Sequence, residues 1–453
     1  MLLMRSLRLP RLCLLVSALL VPCSLSAQQT PLAQTPPMGW NSWDSFGTTI
    51  DEKTFRQSAE WIAQHLKPLG YEYVTIDEAW FDDSPPADGS APTEPHHLDA
   101  YGRYVPSAQR FPSVTAEQGF APLADYIHSL GLKFGIHVLQ GIPKAALAAD
   151  MPIQGSNFHA KDAADPSAGC IWNTDNFSLQ DNPAGQAYYD SIARLYASWH
   201  VDLIKIDCIS SRPYKGEEIR MFHDAVAKSG RPMLISLSPG PAPLDEAANL
   251  EKYAQQWRIS DDVWDVWQST RAFPQGLNDQ IARAAKWLPY AGPGHWPDSD
   301  MLPIGELRPA PGWGKPRATM LTPDEQRSMI NLWSMVRSPL VYGGNPMETD
   351  PATLALLTNP EVIAVDQHSR DTKSVILNDN LAVYTSHPGT DAGTYVAVFN
   401  RQDTPQEVDL SWKEIGLDGA SYRVHDLWGK GEAPAKRLHV PLAPHASALL
   451  LLR

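Results

Sequence analysis

The chain is short of the features that announce several large function classes. It has only four cysteines in 453 residues. No Cys/His spacing resembles a zinc site. Positive charge is scarce: 37 Lys and Arg stand against 51 Asp and Glu, a formal net charge of −14. That balance argues against nucleic acid or an anionic membrane surface as partner. No apolar run reaches the roughly 20 residues needed to span a bilayer. No Gly-rich phosphate turn, internal repeat or low-complexity tract is visible, and no cofactor is implied.

What is present is a globular composition, 43% hydrophobic and 19% charged, well outside the disordered range. The aromatic content includes 15 Trp and 15 Tyr. Their flat faces with polar edges suit sugar rings as well as core packing. Arg5, Arg8 and Arg11 precede a hydrophobic stretch from Leu12 to Val21, followed by the small residues Ser24, Ser26 and Ala27. This reads as a cleavable secretory signal peptide over residues 1–27. A lipoprotein signal ending at Cys23 is a weaker alternative. The expectation is a secreted or periplasmic protein. Beyond the leader only Cys170 and Cys208 remain. An oxidising compartment permits a disulfide between them, with two free thiols as the alternative.

Two apolar runs end in aspartate: Val201-Asp-Leu-Ile-Lys-Ile-Asp207 and Gln256-Trp-Arg-Ile-Ser-Asp-Asp262. Burying a charge is costly, so an acid is expected where a strand leaves the core. Any one such Asp could equally cap a helix. Other strand candidates are Met38–Trp43, Tyr71–Asp77, Phe134–Val138, Met233–Ser238, a short piece near His295–Asp300, and Pro339–Gly343. Amphipathic helical runs alternate with them, such as Asp51–Leu69, where Phe55, Ala59, Ile62, Ala63 and Leu66 share a face. The pattern predicts a (β/α)₈ barrel over residues 28–368. An open doubly wound sheet is the runner-up, but Gly39-Trp-Asn-Ser is no phosphate turn. Two long connections, Phe81–Pro112 and Gln140–Pro183, would wall the barrel mouth. The His96-His97 doublet in the first reads as a solvated loop. Residues 369–453 lose helical periodicity and show about seven short strands, which predicts a C-terminal antiparallel β-sandwich.

Taken together, these strand ends resemble a known family. Pro36-Pro-Met-Gly-Trp-Asn-Ser-Trp43 is similar to the opening of glycoside hydrolase family 27, the α-galactosidases or melibiases. So are Tyr73-Val-Thr-Ile-Asp-Glu78, Arg110-Phe-Pro112, Gly131-Leu-Lys-Phe-Gly-Ile136, Lys205-Ile-Asp207, Trp257-Arg-Ile-Ser-Asp-Asp262, Asp298-Ser-Asp-Met-Leu302 and Ser338-Pro-Leu340. One motif alone would be weak, but the ordered series covers nearly the whole chain. The resemblance implies a retaining exo-glycosidase without a metal, with Asp207 as nucleophile and Asp262 as general acid/base. Asp261 is a rival to Asp262, and strand alternation would turn it to the other face. The resemblance also implies sugar contacts from Trp43, Asp77, Lys205, Arg258, Asp300 and Met301. Trp40 reads as core and Asp298 as a loop cap.

Three departures from the family pattern stand out. Glu78 replaces a second Asp, His137 replaces a common Tyr, and Ser236-Leu-Ser-Pro-Gly-Pro241 replaces a bulkier loop. Glu78 and His137 join the candidate sugar-binding set. The extra methylene of Glu78 carries its carboxylate about 1.5 Å further into a pocket. There it would crowd a hydroxymethyl group on C5, which β-L-arabinopyranose lacks and α-D-galactose has. The implied activity is removal of terminal α-D-galactosyl residues, with β-L-arabinopyranosidase as the alternative. A non-catalytic carbohydrate-binding protein would need to have lost Asp207 or Asp262, and both are present. The partner is a carbohydrate, and the sequence leaves the oligomeric state open, a homo-oligomer included.

Overall fold

The computed structural model describes residues 31–86, 95–271, 273–308, 315–389 and 392–453. The predicted leader, with its cleavage point after Ala27, lies outside the described residues. Eight short parallel strands alternate with helices: β1 (Met38–Asn41), β2 (Tyr73–Ile76), β3 (Lys133–Leu139), β4 (Leu203–Asp207), β5 (Leu234–Leu237), β6 (Gln256–Arg258), β7 (Trp296–Asp298) and β8 (Leu340–Tyr342). They pair in sequence order, with β8 beside β1. A parallel bridge between Leu302, just beyond β7, and Tyr342 of β8 completes the curl. This is the expected barrel architecture. Nearly every strand residue is buried on both faces, as helices outside and side-chain layers inside require.

The surrounding helices start where the sequence supplies caps. Asp51 accepts from Thr54 N–H at the start of Glu52–His65. Asn182 accepts from Gly185 N–H ahead of Pro183–Ser198. Thr322 and Glu325 form a reciprocal capping box on Pro323–Val336. Two helices that periodicity did not reveal, Pro351–Leu357 and Pro360–His368, follow β8. Each is capped by Asp350 or Asn359 and opens on proline.

The C-terminal segment forms a six-stranded antiparallel sheet faced by the pair Gln406–Leu410 and Leu438–Leu442, the expected sandwich. One strand, Glu432–Ala435, goes beyond those the sequence pattern indicated. Strand alternation gives the large sheet two apolar faces. Val383, Val396, Val398, Leu450 and Leu452 face the small pair. Tyr384, Ala397, Phe399, Leu449 and Leu451 join the barrel's own core. The Tyr384 hydroxyl donates to the carbonyl of Ile281, and Asn331 Nδ2 donates to Ser447 Oγ at 2.8 Å. Truncating this fully buried tyrosine leaves a cavity where the two parts share apolar contacts. Tyr384→Ala should cost about 3–5 kcal/mol, read as a fall in the denaturant midpoint.

Candidate active site

The carboxyl ends of the barrel strands open into a cavity of about 540 Å³. Trp43, Asp77, Glu78, His137, Lys205, Asp207, Asp262 and Met301 all line it. Arg258 and Asp300 line a smaller cavity that Lys205 and Met301 also reach, and both contact the segment of Asp262. All ten candidate residues therefore converge on one end of the barrel.

Lys205, on β4, donates to Asp77 Oδ2 at 2.8 Å, and Asn41 Nδ2 donates to the same oxygen at 2.8 Å. Burial alone would raise the Asp77 pKa; the Lys205 cation overrides it and holds this carboxyl down at about 2. Asp77 is thus ionised at any working pH, and Lys205 is held charged in return. Asp207 ends β4. Its Oδ1 accepts the Cys208 N–H at 2.6 Å and its Oδ2 lies 3.2 Å from His137 Nε2. Burial opposes charge on His137, but Asp77 and Asp207 together raise its pKa. Its ring therefore engages Asp207, so His137 sits beside two carboxylates.

Asp262 does not end a strand. β6 stops at Arg258, and Asp262 stands four residues beyond in a turn, so strand alternation does not separate it from Asp261. Both acids line the cavity. What distinguishes them is partnership: Asp261 is ion-paired with Arg212 at 2.6 Å and accepts the Asp262 N–H at 3.1 Å. Asp262 receives a longer contact, 3.1 Å, from Arg258 Nη2. The same guanidinium sits 2.6 Å from Asp300. Burial raises the pKa of Asp262 despite Arg258 and Lys205. The turn can come close because Gly240 lies against it. A Cβ there would fall 2.1 Å from the Ser260 carbonyl oxygen, which gives the Ser236–Pro241 segment a packing role.

Burial pushes Glu78 up to about 7, His137 opposing and Asp207 and Asp77 adding. Asn173 Nδ2 donates to its Oε1 at 3.1 Å. Burial likewise raises the pKa of Asp300, against the pull of Arg258. Asp300 accepts from Val263 N–H at 2.7 Å and Met301 N–H at 2.8 Å, so it braces the segment that carries Asp262. Trp40 is fully buried, donating to Gly344 O. Asp298 is held by Gln256 and by the Asp300 N–H.

The long connections do wall the mouth, in a more built form than loops. The second folds into a three-stranded antiparallel sheet of Ile142–Pro143, Ala164–Gly169 and Asn176–Leu179. A disulfide joins Cys170 to Cys208 beside Asp207. The expectation of a solvated doublet fails at His96. Its ring bridges Asp82 at 2.6 Å and Asp175 at 3.1 Å and packs edge-on to Phe81, while His97 is the more exposed and pairs with Asp83. Sequence reasoning also missed Ile171, Trp172, Asn173, Arg212 and Phe273 as lining residues; no strand pattern marks them.

The alpha-galactosidase A family profile matches residues 35–168 and 169–368, and that of the alpha-galactosidase C-terminal beta sandwich domain matches residues 378–452. The chain is 42% identical to a GH27 β-L-arabinopyranosidase from Geobacillus stearothermophilus, whose crystal structure superposes with a TM-score of 0.87 over 93% of this chain and 96% of that one. An Asp-to-Ala variant of that protein, solved with arabinose, gives 41% identity and a TM-score of 0.88, covering 93% and 97%. An alpha-galactosidase A from Cellvibrio japonicus is 28% identical over 97% of both chains.

His96 joins the two walls, and its charge should stabilise the fold. Burial works against that charge, but the bonds to Asp175 and Asp82 outweigh it and lift its pKa to about 9. A raised histidine pKa contributes fully below the unfolded value of about 6.5 and is lost as pH climbs through about 9. Thermal melts of His96→Gln should therefore show a deficit that is largest below about pH 6.5 and fades towards about pH 9.

Proposed function

Because the chain belongs to glycoside hydrolase family 27, the melibiase family, we propose that it is a retaining exo-glycosidase that prefers terminal β-L-arabinopyranosyl residues. Asp207 attacks the anomeric carbon as a carboxylate and forms a covalent glycosyl-enzyme. His137 at Oδ2 and the Cys208 N–H at Oδ1 fix the plane of its carboxylate. Asp262, whose pKa is raised, gives a proton to the leaving oxygen and then takes one from the incoming water. Asp77, kept ionised by Lys205, accepts from ring hydroxyls. Trp43 and Met301 offer apolar surface to the ring.

The observation that carries the pentose reading is Glu78. Its carboxyl lines the cavity beside Asp77 and is held by Asn173. A longer side chain here takes the volume that a C5 hydroxymethyl group would need. With its pKa near 7, it is neutral in mildly acidic solution and can pack against an unsubstituted C5 at little electrostatic cost. The high identity to the arabinopyranosidase of Geobacillus stearothermophilus supports the same reading. The galactoside reading is the second, supported by the more distant alpha-galactosidase A of Cellvibrio japonicus. The proposal includes export from the cytoplasm, supported by the Arg5–Ala27 leader pattern and by the disulfide. Among the described residues no helix is long and apolar enough to cross a membrane.

Two measurements test these assignments. On nitrophenyl glycosides, kcat/KM should be higher for β-L-arabinopyranoside than for α-D-galactopyranoside. Glu78→Asp should move the ratio at least about tenfold towards the hexoside. A wild-type preference for the galactoside would reverse the substrate assignment. Asp207→Ala should lose roughly 10⁴-fold or more in kcat on every substrate. Asp262→Ala should lose much less on a dinitrophenyl glycoside, whose leaving group needs no proton, than on a natural glycoside. Equal losses for both variants on both substrates would overturn the division of roles.

A further inference from the structure

Three large apolar side chains are exposed at the mouth of the cavity, where nothing in the chemistry above uses them. Ile171 is 66%, Trp172 45% and Phe273 41% exposed, and all three line the same space as Asp207 and Asp262. Large apolar side chains left in water around one opening mark a contact surface. Its placement is fixed by the chain. Cys170, which precedes Ile171 and Trp172, is bonded to Cys208 beside Asp207. Asn173, which follows them, holds Glu78. Asp175 is clamped by His96. Trp172 therefore stands on a tethered segment on the Asp207 and Glu78 side.

Phe273 stands on the other side. The Gln275 N–H donates to the Asp262 carbonyl at 2.8 Å, and Gln275 pairs with Val263 in a parallel bridge. Phe273 is thus anchored two residues from the segment that carries Asp262. The group protonated by Asp262 is the leaving oxygen, so what departs lies towards Asp262 and outward. The volume of about 540 Å³ lies within the range that encloses a drug-sized ligand. One pyranose on Asp77, Lys205 and Trp43 occupies the floor and leaves the rim open. Arg212, also lining and partly exposed, supplies donors beside the aromatics.

We propose that Phe273 and Trp172 form a leaving-group subsite. It holds the next sugar ring of an oligosaccharide by packing against the ring's C–H face. The inference rests on the glycosidase reading above and extends it to the substrate's second residue. Flat aromatic surface with little conformational freedom suits such a ring, and Arg212 can reach its hydroxyls. A contact made to the leaving sugar in both ground and transition states lowers KM more than it raises kcat.

The test compares two substrates with the same terminal glycone, whichever of the two the wild type hydrolyses. One is an oligosaccharide and the other the glycosyl fluoride, whose leaving atom is too small to reach the rim. Trp172→Ala and Phe273→Ala should each lower kcat/KM on the oligosaccharide about tenfold, mainly through KM, a change of about 1.4 kcal/mol. Both should stay within about twofold of wild type on the fluoride. Trp172→Phe should recover most of the loss. Equal losses on both substrates, or an unchanged oligosaccharide rate, would overturn the subsite. A mistaken choice between pentose and hexose changes which pair of substrates is used and leaves the ratio intact, so the two readings fail separately.

Discussion

The barrel mouth concentrates largely buried acids where cations are few. Asp44, Asp77, Glu78, Asp207, Asp262, Asp298 and Asp300 share the neighbourhood with Lys205, Arg258 and His137. Desolvation disfavours a charged carboxylate, and a neighbouring cation offsets it to an extent that differs from site to site. Lys205 takes Asp77, and Arg258 is divided between Asp262 and Asp300. Asp44, buried and with one carboxyl oxygen unpartnered among the described residues, is driven well up by burial. The unequal reach of Lys205 and Arg258 therefore separates Asp77, which is held low, from Asp262 and Asp300, which burial raises. A glycosidase that relies on one carboxylate attacking and another donating needs acids in unlike surroundings, and here those follow from where β4 and β6 end.

The barrel was legible because most strands are short apolar runs that end near a polar rim residue, and several helices carry side-chain caps. The rim residues on β2, β3 and β4 could be placed from the chain alone. Their position follows directly from the strand register. Asp262 could be named but not placed. Its strand ends four residues earlier, and the turn depends on Gly240 passing under the Ser260 carbonyl, a contact between distant segments. The cysteine pair was legible as a possibility, and the fold closes it.

The outer wall was the least legible part. His96 sits in a segment rich in Pro, Asp and His, with nothing local to separate it from His97. What distinguishes the two is that Asp82 and Asp175 arrive from different loops. Trp172 and Phe273 are likewise ordinary aromatics in sequence. They acquire meaning only when the disulfide and the Gln275 bond bring their segments to one opening. Periodicity reports burial against a regular element, and these residues belong to none.

The C-terminal sheet turns one of its faces into the wall of the barrel, Tyr384, Phe399 and Leu451 sharing a core with the helices. Modules that are traded between proteins usually meet their hosts through polar, hydrated seams. This seam is apolar and threaded by side-chain bonds such as Asn331 to Ser447. The sandwich is consequently no portable appendage. Its inner face and the helices beneath it are bound to change in concert over generations, and a chimera that borrowed one without the other would inherit two unmatched oily surfaces.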